Sequence, residues 1–194
     1  MITLDCKEVF FTSDTHFFHK NIIEYCNRPF GNVEEMNEGI INLWNEVVPK
    51  DGIVFHLGDV CFGGKTRLEA VVPRLNGDIY LIRGNHDVKN IPPYLFKEVH
   101  DQLMIKVTGD EEIPEQKIFM HHFPFLTWPE KEQGCWQLFG HLHLKNDINN
   151  RNPIKDKLSI NQLEIGVDGH NYLPYSFYEI KEKITKNYLE GKYL

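Results

Sequence analysis

Five short apolar runs organise the chain, and each ends in a polar cluster. Val9-Phe10-Phe11-Thr12 leads into Ser13-Asp14-Thr15-His16, and Ile53-Val54-Phe55 leads to Gly58-Asp59. Ile79-Tyr80-Leu81-Ile82 ends at Gly84-Asn85-His86-Asp87. Lys117 to Met120 runs into His121-His122, and Trp136 to Phe139 into Gly140-His141-Leu142-His143. β-branched and aromatic residues in such runs predict buried strands. Helical spacing of Met36, Ile40, Leu43, Trp44 and Val47 predicts a helix over Glu34–Val48, closed by Pro49. Further helices are predicted over Arg67–Leu75 and Lys181–Tyr193, and late strands over Leu163–Val167 and Ser176–Ile180. Gly109 to Glu115 reads as an acidic hairpin or loop, and polar Asn146 to Lys157 as a surface loop. The pattern is mixed α/β. In open α/β sheets, sites gather beyond the carboxyl ends of strands, so these clusters can converge.

Composition sharpens the picture. The chain has 194 residues, 41% of them hydrophobic, with no linker or repeat, which predicts a single domain over 1–194. An aromatic share of 12% excludes disorder as the main state. A formal net charge of −7 speaks against stable coating of nucleic-acid phosphates. The four cysteines form no CxxC pair, which argues against a thiolate zinc site. No apolar run approaches a membrane span, and the charged start, with Asp5, Lys7 and Glu8, does not read as a signal peptide. The expected location is the cytoplasm. Histidine stands apart: there are 10, and most sit in the clusters.

Taken as ligands, the clusters offer carboxylates, imidazoles and the Asn85 amide, without sulfur. That donor set suits Mn, Fe, Co, Ni or Zn and is too rich in nitrogen for Ca or Mg. It also exceeds what one ion needs, so two divalent transition metal ions are expected. Such a pair needs an anionic bridge, which a carboxylate such as Asp59 can supply. Two close ions activate a bridging water for in-line attack at phosphorus. A histidine near the ions but not bound to them can then protonate the leaving group.

The five blocks in this order, from Asp14 to His143, resemble the calcineurin-like metallophosphoesterase superfamily. Ser13 to Asn21, Asn27-Arg28-Pro29-Phe30 and the late Gly166-Val167-Asp168 with Tyr172-Leu173-Pro174 resemble a subgroup of small bacterial and phage phosphoesterases. The resemblance implies two mixed β-sheets packed as a sandwich and flanked by helices. It implies one metal held by Asp14, His16, Asp59 and His143, and a second by Asp59, Asn85, His122 and His141, with Asp59 bridging. His86 would be the general acid or a hydrogen-bond donor to the transition state, and Asp87 would orient its ring. Alignment to Pro124 makes His122 the ligand, and if the strand continues there His121 faces the other way.

Beyond these, His19 and Arg28 are candidate phosphate contacts. Arg83 reads as a structural ion pair, and His56 as a core residue supporting the site. Asp168 and His170 could approach from the late loop, and Phe17, Phe18 and Trp128 could line the mouth. The resulting expectation is a dinuclear hydrolase of small phosphate esters, a phosphodiesterase using Mn. The rivals are a phosphomonoesterase or nuclease on the same site, and a non-catalytic phosphoesterase-like scaffold.

Overall fold

A computed structural model describes all residues except 88, 90, 93, 146–153, 155, 156 and 190–194. Its ten strands form two five-stranded sheets. The first carries β1 (Ile2–Asp5), β6 (Gln102–Thr108), β7 (Glu115–His121), β8 (Trp136–Phe139) and β9 (Gln162–Glu164), in that spatial order. The second has the order β10 (Tyr175–Ser176), β2 (Val9–Thr12), β3 (Ile53–His56), β4 (Asp78–Ile82), β5 (Glu98–His100). β2 to β5 are mutually parallel, as are β7 to β9, while β6–β7 and β10–β2 are antiparallel. The sheets are therefore mixed, as the resemblance implied.

The alternation of side chains across a strand builds the layers. On β3, Phe55 points to the core between the sheets, where it packs with Phe11, Ile82, Ile118, Met120 and Leu138. Val54 points the other way, into a second core against α2 (Val33–Val47) and α3 (Lys65–Val71). The fully buried Met36, Ile40 and Trp44 of α2 are the residues whose spacing predicts it. Asn32 caps this helix, its Oδ1 accepting from Glu35 N–H at 2.8 Å. The outer face of the first sheet is covered by smaller clusters around Phe119, Trp128 and Cys135, and around Phe139 and Leu144.

The predicted strand over Ser176–Ile180 is wrong. Only Tyr175–Ser176 pairs, and α4 (Phe177–Leu189) starts at once. The local run looks extended, but a capping box decides it. Glu179 Oε2 accepts from Ser176 N–H at 2.8 Å, and Ser176 Oγ accepts from Glu179 N–H at 3.3 Å. Phe177, Ile180 and Ile184 then bury one helical face in the inter-sheet core. The helix predicted from Lys181 thus begins four positions earlier. β1, β5, β6 and α1 (Lys20–Tyr25) have no counterpart in the sequence reading. The acidic segment 109–115 is the β6–β7 turn, and most of the loop expected over 146–157 lies outside the described residues. No described helix is long and apolar enough to cross a membrane.

Candidate metal centre

The register of the parallel strands fixes the site. Thr12 on β2 aligns with His56 on β3, which aligns with Leu81 on β4. The chain therefore leaves neighbouring strands at nearly one level, with Asp14, Asp59 and Asn85 just beyond. In the other sheet Met120 aligns with Leu138, placing His122 and His141 at a matching level. An isolated parallel bridge, Ser13 to Gly166, links the chain just beyond β2 to the chain just beyond β9 in the other sheet. Gly84 lets the loops close together, because a Cβ there would collide with the Asp59 carboxylate. The turns beyond the strands are tight: Asp14, His16, Asp59, His141 and His143 all have left-handed backbones, with φ of 57, 50, 57, 73 and 50°.

Among the described residues three groups of ligand atoms lie within 4.8 Å of one another; Cys26, His143 and Asp168 form one, and the other two face the centre. Of these two, one is Asp14, His16 and His143; the other is Asp59, His122 and His141. A single oxygen joins them. Asp59 Oδ2 lies 3.6 Å from His16 Nε2 and 3.5 Å from His122 Nε2. Its partner Oδ1 is occupied by the backbone N–H of His86 at 2.8 Å. Asn85 Oδ1 sits 3.0 Å from His122 Nε2. All seven residues expected to hold metal therefore come together.

The residues fit cations. Asp14 Oδ2 accepts from the His141 backbone N–H at 2.9 Å, but Oδ1 is buried with no hydrogen-bond partner, as is His16 Nε2. Those two atoms are 3.9 Å apart, and His143 Nε2 is also 3.9 Å from Asp14 Oδ1. Unpartnered buried polar atoms are costly, and here they face one another as a ligand set would. Burial holds His16 neutral, with its pKa pushed down to about 2, aided by the nearby His143. Burial would raise Asp59, but the His122 hydrogen bond and charge outweigh it and hold the carboxyl at about 2. For His16 and Asp59 these are the forms a cation binds; at His143 burial is outweighed by the Asp168 hydrogen bond, which raises the imidazole pKa to about 11, so a cation there displaces a proton.

Two of the ligand imidazoles are oriented by their far nitrogens. His122 Nδ1 lies 2.7 Å from the Leu57 carbonyl, to which it donates, and His143 Nδ1 lies 2.8 Å from Asp168 Oδ2. Both leave Nε2 facing the centre. His121 turns away, with Nδ1 accepting from the Phe123 N–H at 2.9 Å. His86 is exposed at the rim, its ring centroid 5.6 Å from that of His16. His19 lies beside it, stacked on Phe62 at 4.5 Å. These residues line a cavity of about 630 Å3 with Ile22, Tyr25 and Cys26. A second, more polar cavity of about 540 Å3 lies on the Asn85 side, lined by Arg83, Lys89, His121 and Phe123 among others.

Two expectations change. Asp87 does not orient the His86 ring. Its carboxylate accepts from the backbone N–H groups of Asp59, Val60 and Gly84 at 2.9, 2.9 and 2.7 Å, so it clamps the loop bearing Asp59. Arg28 does not face the cavity. Its guanidinium is buried and bonded to Asp168 and to the carbonyls of Asp14 and Thr15, leaving nothing for a phosphate. Of the late-loop candidates, Asp168 reaches the centre, while His170 bonds Glu179 and stacks on Tyr175. Phe17 and Trp128 belong to the cores, and Phe18 packs against one of them. His56 is buried and donates to Thr15 Oγ1 at 3.0 Å, whose hydroxyl in turn donates to the Val60 carbonyl. Arg83 pairs with Asp101 at the surface.

Glu164, at the end of β9, is absent from the sequence reading. It is buried near Asp14, with Oε1 unpartnered, and burial pushes its carboxyl well up. An acidic residue inside an apolar terminal run, Leu163 to Val167, was the available signal.

The profile of the calcineurin-like phosphoesterase family matches residues 8–164. A protein of Methanocaldococcus jannaschii known as Uncharacterized protein MJ1445 is 35% identical, over 94% of this chain and 94% of its own. The Gene 66 protein of Mycobacterium phage D29 is 27% identical, over 92% of this chain and 96% of its own. Among solved structures, the protein of unknown function AQ665 from Aquifex aeolicus shares the fold, with a TM-score of 0.65 at 21% identity, over 90% of this chain and 97% of that one. The chain belongs to the calcineurin-like phosphoesterase family, and it is a metal-dependent phosphoester hydrolase.

Proposed function

We propose that the protein is a phosphodiesterase working with two divalent ions, Mn2+ foremost. The observation that carries the two-ion reading is the shared oxygen: Asp59 Oδ2 faces both donor groups, as a carboxylate bridging through one oxygen would. Asp14, His16 and His143 would hold one ion, and Asn85, His122 and His141 the other, with Asp59 common to both. Such ions supply Lewis-acid polarisation, an activated water nucleophile and neutralisation of charge on phosphorus.

The chain's own groups do the rest. His86 stands exposed at the cavity rim, beside the first group but outside both, so its imidazole can give a proton to the departing alkoxide. Its backbone N–H meanwhile fixes Asp59 Oδ1. His19 is placed to hydrogen-bond a phosphate oxygen from the rim of the same cavity. Asp87 keeps the Asp59 and Gly84 loops in register. Cavities on both sides of the centre give room for two ester arms, which favours a diester over a monoester.

The test is metal-stripped protein supplemented with Mn2+, offered bis(p-nitrophenyl) phosphate and p-nitrophenyl phosphate. Higher kcat/KM on the diester is the expected result. Preference for the monoester would overturn the diesterase reading, and full activity with one bound ion would overturn the two-ion reading.

A further inference from the structure

We propose that Arg28 and Asp168 are positioning residues that set the ligand nitrogen of His143 and hold the Asp14 turn. The inference rests on the reading of His143 as a metal ligand. Both side chains are completely buried and form a two-pronged pair: Nε to Asp168 Oδ1 at 3.0 Å and Nη2 to Oδ2 at 2.8 Å. The remaining donors are also committed. Nη2 reaches the Asp14 carbonyl at 2.8 Å, and Nη1 reaches the Thr15 carbonyl at 2.9 Å and Met36 Sδ at 3.5 Å. The planar fork of arginine can serve this many acceptors at once, and a lysine cannot.

Asp168 Oδ2 also bonds His143 Nδ1, at 2.8 Å. That contact makes Nδ1 the protonated nitrogen once a cation takes Nε2, which already points toward Asp14 Oδ1. A carboxylate on the far nitrogen makes the near one a stronger ligand. A lone buried carboxylate would be costly, and Arg28 neutralises it. The same guanidinium holds the carbonyls of a turn whose Asp14 and His16 have left-handed backbones. One cation thus serves two of the ligands of the first group and the turn leading to the third. The surroundings lock it in place: the Tyr172 ring lies 5.7 Å from the guanidinium, and Phe30 meets Tyr172 edge-on at 5.0 Å. Two sequence segments far apart, 27–30 and 166–174, close on each other through this pair.

The experiment is a calorimetric titration of metal-stripped protein with Mn2+, comparing wild type, Asp168→Asn and His143→Ala. The introduced amide would turn its oxygen to Arg28 and its NH2 to His143. Asp168→Asn is expected to weaken one ion about 10–100-fold and the other by less than about threefold. In the Zn2+-loaded variant, the hydrogen-bonded Nδ1–H proton signal of His143 should vanish, which loss of a mere strut would not cause. Unchanged affinity for both ions in Asp168→Asn, with His143→Ala weakened, overturns the inference alone. Unchanged affinity in His143→Ala overturns the ligand reading and the inference with it. Equal weakening of both ions, with the His143 signal intact, marks a general strut and also overturns it. If Asp168→Asn does not fold, Arg28→Lys is read by the same two measurements. If wild type takes one ion, the two-ion reading fails and the inference stands or falls on that ion's affinity.

Discussion

The two donor groups are built from the same residue types and supported in different ways. In the first, His143 rests on the anionic Asp168, itself neutralised by a buried arginine. In the second, His122 rests on the neutral carbonyl of Leu57. The first is held by side chains from distant segments; the second is held by main chain, with Asp87 gathering three backbone N–H groups of its loops. The contrast teaches that a charged support strengthens one ligand, whereas a backbone support fixes a loop and leaves ligand strength ordinary. The first group should accordingly fill first when metal is limiting.

The most damaging change should be Asp59→Asn, which alters the one oxygen facing both groups. Turnover should drop by more than the ~10–100-fold that losing an outer partner costs, and calorimetry should show both ions weakened. Retention of one unperturbed ion would show that the groups are independent. Next comes His86→Ala, which should lower kcat by ~10²–10⁴-fold while metal content, measured by elemental analysis, stays intact. Asp87→Ala should cost about 10–100-fold in affinity for the second group and weaken the first less, through the shared Asp59, a counterpart of Asp168→Asn. If it weakens the first group more, the assignment of supports is reversed. Stripping the ions should lower the melting temperature by about 10–20 °C when the loaded reference holds free metal ~100-fold above the Kd of each of two sites. His121→Ala, whose imidazole turns away from the centre to bond Phe123, should leave the affinity for both ions unchanged by calorimetry.

The sequence made the donor set readable because each cluster follows an apolar strand, so parallel register alone delivers Asp14, Asp59 and Asn85 to one level. Roles that depend on where lone pairs point were not readable. The position of Asp87 beside His86 suggested a partner for the ring, yet its oxygens turn back to main-chain N–H groups. Arg28 near the Asp14 block suggested a phosphate contact, yet folding buries it against a residue 140 positions away. Missed elements have local causes. β1 alternates half-buried and exposed residues over four positions, too short a period-2 signal. At Ser176, a capping box two side chains wide outweighed an apolar run that also suits a strand.

The left-handed backbone at five of the seven ligands has a kinetic meaning. Each such residue costs on the order of 1 kcal/mol, which the hydrogen bonds around the turns offset. In the metal-free protein the half-buried turn of His141 and His143 would relax before the buried turn of Asp14 and His16. Metal escape and turn opening would then be one event, and the residence time of the ions would be set by the main chain that presents the ligands.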